Sequence, residues 1–267
     1  MKKTITEKID KLKFILKEMN SVAIGFSGGS DSTFLIKVGA DIIGKNLLAI
    51  TVNSPLIKKN DIVLARNIAK DFKVNHVIID FDIERIEELK NNLTNRCYYC
   101  KRELFRKIIA IAKKENKDFV LDGSNIDDLK DFRPGTKALK ELGVRSPLLE
   151  AELTKKDIQI LAEKIGIKNY IRPPTACLAS RIPYGIKITM EKLQTIEKAE
   201  MFLHSLSIKN PRVRYHKEIA RIEVDENDFQ IIIKNAKQIV EKFKNLGFTY
   251  VTLDIEGYRI GSLNEVL

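Results

Sequence analysis

Near the N-terminus the apolar run Val22-Ala23-Ile24-Gly25-Phe26 passes straight into Ser27-Gly28-Gly29-Ser30-Asp31-Ser32, and a helical pattern begins in 33–38. Few folds accommodate that sequence of patterns. Strand, small-residue loop and helix together form the layout in which backbone N–H groups and a helix N-terminus cradle an anion. Glycine lets the anion approach the backbone, where a Cβ would hold it away, and the serines add hydroxyl donors. No Gly-Lys-Ser/Thr follows the glycines, so the lysine that a Walker loop aims at the β- and γ-phosphates is missing. Nor does the loop read Gly-x-Gly-x-x-Gly. Asp31 at the helix start suits a phosphate only with a cation between them, which assigns it a role near Mg2+. The plain alternative is a Gly/Ser turn capped by Asp31.

The rest of the chain extends this unit. Apolar runs at 47–52, 76–80 and 119–122 alternate with helix-length segments at 31–43, 61–72 and 98–115. Buried strands alternating with helices specify an α/β fold built on a doubly wound parallel sheet. Residues 3–19 form an amphipathic helix through Ile9, Leu12, Phe14, Ile15 and Leu16, and 154–165 form another, with Thr154 as N-cap and Gly166 past its end. The stretch from Arg172 to Gly185 is too interrupted by proline for regular structure and reads as a rigid loop marking a domain boundary. Beyond it come a helix at 189–206, strands at 213–216 and 219–224, a mostly helical 228–246 and a strand at 250–255. The expected domains are therefore 1–185 and a smaller α+β unit at 186–267.

Composition excludes several classes. With 44% hydrophobic and 31% charged residues the chain is an ordinary globular one, and no apolar run approaches the roughly 20 residues of a membrane span. The opening residues mix Lys with Glu and Asp and lack a signal-peptide pattern, so the cytoplasm is the expected compartment. Lys+Arg 47 against Asp+Glu 36 gives a net charge of +11, compatible with RNA or with a polyanionic nucleotide. Because basic residues are interleaved with acidic ones along helices, a general Lys-rich surface is favoured over a dedicated RNA surface.

Three cysteines are an odd number, which suits a reducing compartment and argues against a disulfide scaffold. Cys97-Tyr98-Tyr99-Cys100 opens a helix, where thiols tend to be reactive. Cys177 lies in the Pro-rich loop between Arg172 and Arg181, an electropositive setting of the kind reactive cysteines occupy. Four readings stand at this point: a thioredoxin-type pair, a zinc site completed by His76, His204 or His216, three unconnected thiols, or a [4Fe-4S] cluster on Cys97, Cys100 and Cys177. In the last, one iron has no protein ligand and is open to sulfide.

Ser-Gly-Gly-x-Asp-Ser after an N-terminal strand resembles the pyrophosphate-binding PP-loop of GMP and NAD synthetases, asparagine synthetases and many tRNA thiolases. Those enzymes adenylate an oxygen and release pyrophosphate. Taken with Asp122-Gly123-Ser124-Asn125, Asp127-Asp128, Arg133-Pro134-Gly135, Arg145-Ser146-Pro147-Leu148 and the run from Ala176 to Gly185, the chain resembles the LarE-type sulfur transferases over nearly its whole length. That family makes the pincer nucleotide of the nickel cofactor of lactate racemase.

The resemblance implies adenylation of pyridinium-3,5-biscarboxylic acid mononucleotide by ATP with Mg2+, followed by replacement of AMP by sulfur to give a thiocarboxylate. Some members sacrifice the sulfur of the cysteine matching Cys177, which becomes dehydroalanine. Cys97 and Cys100 depart from that single-cysteine pattern and match the members that carry a [4Fe-4S] cluster on three cysteines, which implies catalytic rather than sacrificial delivery. The implied ATP site comprises Ser27, Gly28, Gly29, Ser30, Asp31, Ser32, Gly123, Asn125, Asp128, Arg133 and Gly135, with Ser54 near adenine or ribose. Strand alternation puts Arg212, Arg214 and His216 on one face and Arg221 with Glu223 on a face of the next strand. Arg181, Arg212, Arg214 and Glu223 are accordingly assigned to the anionic nucleotide substrate, the alternative being a mixed-charge solvent face. Relatives form homo-oligomers, and the sulfide source is left open. The rival functions are a tRNA thiolase with the same cluster chemistry, for which no separate RNA-binding module is seen, and a nucleotide-binding sensor.

Overall fold

The computed structural model describes residues 3–130, 134–167, 170, 176–259 and 261–265. In chain order the elements are α1 (Ile5–Met19), β1 (Val22–Gly25), α2 (Ser30–Ile43), β2 (Leu47–Asn53), α3 (Lys59–Asp71), β3 (Asn75–Asp80), α4 (Glu87–Lys90), α5 (Arg96–Lys114), β4 (Phe119–Leu121), α6 (Gly135–Glu141), α7 (Pro147–Glu150) and α8 (Lys155–Lys164). They continue as α9 (Met190–Ser205), β5 (Arg212–His216), β6 (Ile219–Glu223), α10 (Phe229–Lys234), α11 (Ala236–Asn245) and β7 (Tyr250–Leu253). Local chemistry sets several of the starts. Thr4 with Glu7, and Thr154 with Asp157, form capping boxes in which each side chain satisfies the other residue's backbone N–H. The mostly helical stretch expected at 228–246 forms two helices that meet at Asn235, whose side-chain amide donates to the Ile231 carbonyl 2.8 Å away.

The chain forms two compact units, one of Met1–Ile86 with Asn95–Thr175 and the other of Glu87–Thr94 with Ala176–Leu267. The first holds a parallel sheet in the order β3-β2-β1-β4, with helices around it. Succession runs outward from β1 through β2 to β3, then returns to place β4 on the other side of β1. Strand order therefore reverses at β1, and reversal opens a crevice beyond the carboxyl ends of β1 and β4. Val22, Ile24 and Phe26 bury one face with Leu12 and Leu16 of α1, Phe34 and Leu35 of α2 and Ile158 of α8. On the opposite face Gly25 lets α5 come close, since a Cβ there would lie 3.1 Å from the Phe105 ring.

The second unit has a sheet in the order β5-β6-β7, antiparallel between β5 and β6 and parallel between β6 and β7. Val213, Ala220 and Ile222 pack with Leu203 of α9 and with Ile239 and Phe243 of α11. The break expected after 185 instead falls before Ala176, and 87–94 joins the second unit. The reason lies in the Pro-rich stretch, whose Leu178, Ala179 and Ile182 are apolar and become buried. Asn92 fastens it further: its side-chain amide donates to the carbonyls of Ile182, Pro183 and Ile186 at 3.1, 2.7 and 3.0 Å. Among the described residues no helix is long and apolar enough to cross a membrane.

His76 on β3 ties strand to loop. Thr51 donates its hydroxyl to the Phe26 carbonyl at 2.8 Å, so the 2.8 Å contact between His76 Nε2 and Thr51 Oγ1 requires the imidazole to be the donor. Burial first, and the charge of Arg66 second, hold the His76 pKa below its usual value. Below the unfolded histidine pKa of about 6.5 the unfolded chain then binds the extra proton, so this contribution to stability is present above that value and is lost as pH falls from it through the lower folded pKa. Urea midpoints measured between about pH 8 and pH 5 should decline through that window. His76→Gln, which keeps a donor without the titration, should flatten the decline; an unchanged slope would remove His76 from the account.

Candidate active site

Beyond β1 the chain turns sharply. Gly28 has φ +71, a left-handed conformation costly for other residues, and a Cβ there would also lie 3.3 Å from that of Ala65. Gly29 is the N-cap of α2 and provides no side-chain cap, so the first-turn amides are not closed off by their own cap. The loop is braced from within. Ser32 donates to the Gly29 carbonyl at 3.0 Å, Ser27 and Ser32 hydroxyls meet at 3.2 Å, and the Gly29 N–H donates to Ser27 Oγ at 3.2 Å.

The loop beyond β4 lies directly against it. A Cβ on Gly123 would stand 3.1 Å from the Ser32 backbone nitrogen, a tight contact that the neighbouring backbone must yield to accommodate. Asn125, fully buried, donates its side-chain amide to Asp31 Oδ2 at 2.9 Å and its backbone N–H to Asp128 Oδ2 at 3.1 Å. Its side-chain oxygen accepts the Asp127 N–H at 2.9 Å, and through its side-chain and backbone N–H groups this one residue orients the Asp31 and Asp128 carboxylates at the edge of the crevice. Asp122, buried, accepts hydroxyls from Ser124 and Ser146 and lies 3.5 Å from the Lys101 ammonium. Lys155 Nζ is 3.8 Å from Asp128 Oδ1, and the Lys155 N–H donates to Asp127 Oδ2 at 2.9 Å.

These loops bound a cavity of about 470 Å3. Part of its wall is apolar, made by Phe26, Ile50, Val52, Ile57, Leu104 and Phe105, while Ser27, Ser30, Asp31, Ser32, Asp122 and Asp128 contribute to the polar part. An apolar slot beside a ring of N–H groups, hydroxyls and carboxylates suits a ligand with a planar base and phosphates.

Of the residues expected at an ATP site, Ser27, Gly29, Ser30, Asp31, Ser32, Gly123 and Asp128 line this cavity. Gly28 turns the loop, and Asn125 holds Asp31 without being among the lining residues. Ser54 is buried after β2, where its hydroxyl accepts the Leu56 N–H at 3.3 Å and caps a turn. Gly135 starts α6 against α5, and a Cβ on it would lie 2.8 Å from Lys101 Cδ and 3.3 Å from the Cys97 carbonyl. Arg133 lies outside the described residues. Asp122, part of a motif quoted above but given no role there, also lines the cavity, as do Lys101, Lys155 and Gln159, which the sequence did not single out. Their local signal is weak, because lysines on amphipathic helices look like surface residues.

Arg181, Arg212 and Arg214 of the second unit are interior, contrary to the solvent-face alternative, while Arg221 is half-buried. Arg181 is 0% and Glu200 1% exposed; they pair through Nε to Oε1 at 2.8 Å and Nη2 to Oε2 at 3.1 Å. Arg181 Nη1 also donates to the Ala176 and Cys177 carbonyls and to Ser180 Oγ at 2.8, 3.1 and 2.9 Å. Burial opposes its charge, yet Glu200 holds its pKa above the ordinary arginine value. Arg214 binds Glu223 through two bonds of 2.9 and 2.6 Å and donates to the Ser180 carbonyl at 2.7 Å, while Arg221 reaches the same Glu223 at 2.9 Å. Arg212 is buried with its guanidinium 5.1 Å from the Tyr258 ring. Burial first, and then the neighbouring Arg181 charge, lower its pKa.

Cys97 and Cys100 sit one turn apart at the start of α5, the first exposed and the second half-buried. Cys177 is exposed just ahead of the short 3-10 turn Leu178–Arg181. None of the three is in a disulfide. His76 is engaged by Thr51, and His204 Nδ1 lies 2.9 Å from the Ile208 carbonyl, contacts typical of structural histidines. Among the described residues no three His, Cys, Asp or Glu are gathered into a group able to hold a metal ion.

Residues 1–107 match the NAD synthase family. The whole chain is 34% identical, over 99% of its length and 96% of the relative's, to the pyridinium-3,5-bisthiocarboxylic acid mononucleotide synthase of Lactiplantibacillus plantarum. It is 37% identical to an uncharacterised protein of Synechocystis sp., over 98% of this chain and 99% of that one. A more distant similarity, 23% identity over 94% of this chain and 76% of the relative, links it to one of the subunits of the glutamine-hydrolysing GMP synthase of Sulfurisphaera tokodaii.

Proposed function

We propose, from the premise that this chain belongs to the LarE-type family of PP-loop ATP-dependent sulfur transferases, that it converts a carboxylate of pyridinium-3,5-biscarboxylic acid mononucleotide into a thiocarboxylate. The observation that carries this reading is full-length similarity to the synthase of that name, joined to a cavity whose polar part is built from the phosphate-loop residues. ATP would bind with its base in the apolar slot and its phosphates against the first-turn amides of α2 and the Ser27 and Ser32 hydroxyls. Asp31, oriented by Asn125, would hold Mg2+. A substrate carboxylate oxygen then attacks the α-phosphorus, the bond to the α–β bridging oxygen breaks, and pyrophosphate leaves. Sulfide adds to the resulting acyl carbon, and the carbon–oxygen bond to AMP breaks. The protein's part in both steps is positioning and charge stabilisation.

The thiols of Cys97, Cys100 and Cys177 are the donor type that holds a [4Fe-4S] cluster, and two of them lie one helical turn apart, committed to no disulfide. Such a cluster supplies an iron without a protein ligand, to which sulfide can bind. Arg181 keeps the Cys177 carbonyl fixed. Arg181, Arg212 and Arg214 are buried close enough for their charges to interact, and they are the cations proposed to offset the anionic groups of the substrate. The same reading places the protein in the cytoplasm, where thiols stay reduced, and as a homo-oligomer, as the family resemblance implies.

The test is anaerobic purification with iron and sulfide quantification, followed by incubation with ATP, sulfide and the pyridinium dicarboxylate mononucleotide. About four irons per chain, equal yields of AMP, pyrophosphate and thiocarboxylate, and repeated turnover are expected. Cys177→Ala should keep forming AMP and pyrophosphate while losing both iron and thiolated product. Iron-free enzyme whose Cys177 loses its sulfur after one turnover would overturn the catalytic route. Thiolated nucleoside on tRNA, with no AMP released from ATP in the presence of the mononucleotide, would overturn the substrate.

A further inference from the structure

We infer that Lys155 is the cation that grips the pyrophosphate half of ATP and stabilises it as it departs. The role that a Walker loop gives to its own lysine is here supplied from the start of α8. This inference rests on reading the cavity as an ATP site. The loop from Ser27 to Ser32 contains no basic residue, although a triphosphate is a polyanion. Among the described lining residues the cations are Lys101 and Lys155. They arrive from opposite faces of the sheet: α5 lies against Gly25, whereas α8 joins the core of Val22 and Ile24 through Ile158.

Three observations favour Lys155 at the pyrophosphate. First, its backbone is fixed to the site, because its N–H donates to Asp127 Oδ2 at 2.9 Å and Thr154 and Asp157 cap the helix it opens. Second, a continuous chain of contacts leads from its ammonium to the phosphate loop. Lys155 Nζ is 3.8 Å from Asp128 Oδ1, Asp128 Oδ2 accepts the Asn125 N–H at 3.1 Å, and the Asn125 amide reaches Asp31 Oδ2 at 2.9 Å. Third, a 3.8 Å separation is too long for a charge-assisted hydrogen bond, which needs about 2.7–2.9 Å. Asp128 therefore aims the ammonium at the cavity without consuming its protons, and the side chain is 45% exposed. Lys101 is likewise beyond charge-assisted hydrogen-bond range, 3.5 Å from Asp122, but that carboxylate holds the Ser124 and Ser146 hydroxyls and lies outside the chain of contacts that leads to Asp31.

When the α-phosphorus is attacked, the electron pair of the breaking bond moves onto the bridging oxygen, and negative charge grows on the leaving pyrophosphate. A fixed ammonium there interacts more strongly with the transition state than with bound ATP, which raises the rate.

The experiment uses the full chain with Lys155→Met, Lys155→Arg, Asp128→Asn and, as a neighbouring surface-charge control, Lys156→Met. Calorimetric titration with inorganic pyrophosphate and, separately, with AMP reads binding, and pyrophosphate release reads turnover. Lys155→Met should bind pyrophosphate at least about tenfold more weakly with AMP affinity unchanged, and release pyrophosphate about 100-fold more slowly. Lys155→Arg should restore most of both, Asp128→Asn should fall between them, and Lys156→Met should match the parent protein. Unchanged pyrophosphate affinity in Lys155→Met would overturn the assignment while leaving the ATP site standing. So would an arginine variant as impaired as the methionine one, which marks a structural role. A parent protein that binds neither pyrophosphate nor AMP would overturn both this inference and the ATP-site reading beneath it.

Discussion

Methionine in place of Arg181 is expected to destabilise the protein by about 3–5 kcal/mol, the cost of removing one member of a buried ion pair. Glu200, only 1% exposed, would lose the two bonds it receives from the Arg181 guanidinium. The damage would spread. Glu200 Oε1 also accepts the Val213 N–H at 3.1 Å, so the start of β5 is held by the same carboxylate. The Ala176 and Cys177 carbonyls would lose their donor as well, which loosens the segment carrying the exposed cysteine. Thermal or urea unfolding checks the first effect, and the alkylation rate of Cys177 relative to Cys97 checks the second. The paired change Arg181→Met with Glu200→Leu should recover much of the stability, since a buried ion pair replaced by apolar groups is often neutral. It should not recover the ordering of the cysteine segment. A single variant as stable as the parent protein would mean that water reaches this interior.

Valine at Gly123 is expected to lower pyrophosphate release by about 100-fold, the scale associated with a misplacement of about 1 Å in a catalytic site. Gly123 stands beside the Ser32 amide, where a Cβ would already lie 3.1 Å from the nitrogen, so the branched valine side chain must shift one loop against the other. The amide displaced belongs to the first turn of α2, where the phosphates are proposed to bind. Overpacking of this kind costs about 1–3 kcal/mol in stability, so the variant should still fold and its circular dichroism should be unchanged. Gly123→Ala should be milder in both respects. Undiminished turnover in the valine variant would exclude the Ser32 amide from the phosphate cradle.

Both variants act at contacts between residues remote in sequence, and such contacts separate what local pattern conveys from what it does not. The parallel sheet was readable because buried strands alternate with amphipathic helices, and the strand–glycine loop–helix unit was readable because its parts are contiguous. Thr154 with Asp157 announced the start of α8 for the same reason: a capping box is an interaction between near neighbours. The Arg212 and Arg214 strand face was likewise read correctly as a face, yet whether it met solvent was not a local property. It depends on Ser180, Glu200, Glu223 and Ser262, brought together from separate segments.

The same limit explains the displaced boundary and the unnoticed lysines. A Pro-rich stretch looks like a linker from its composition, but Leu178, Ala179 and Ile182 bury themselves and Asn92 binds the stretch from far upstream. Lys101 and Lys155 occupy helix positions that read as solvated surface, and only the reversal of strand order at β1 brings α5 and α8 to one cavity. Element type and the anion loop thus follow from interactions a few residues apart, which side-chain periodicity and backbone preference encode directly. The partners of each charge, and hence which lysine meets phosphate and which arginine is interior, follow from chain topology, because burial and Coulomb energy depend on distances in space rather than along the chain.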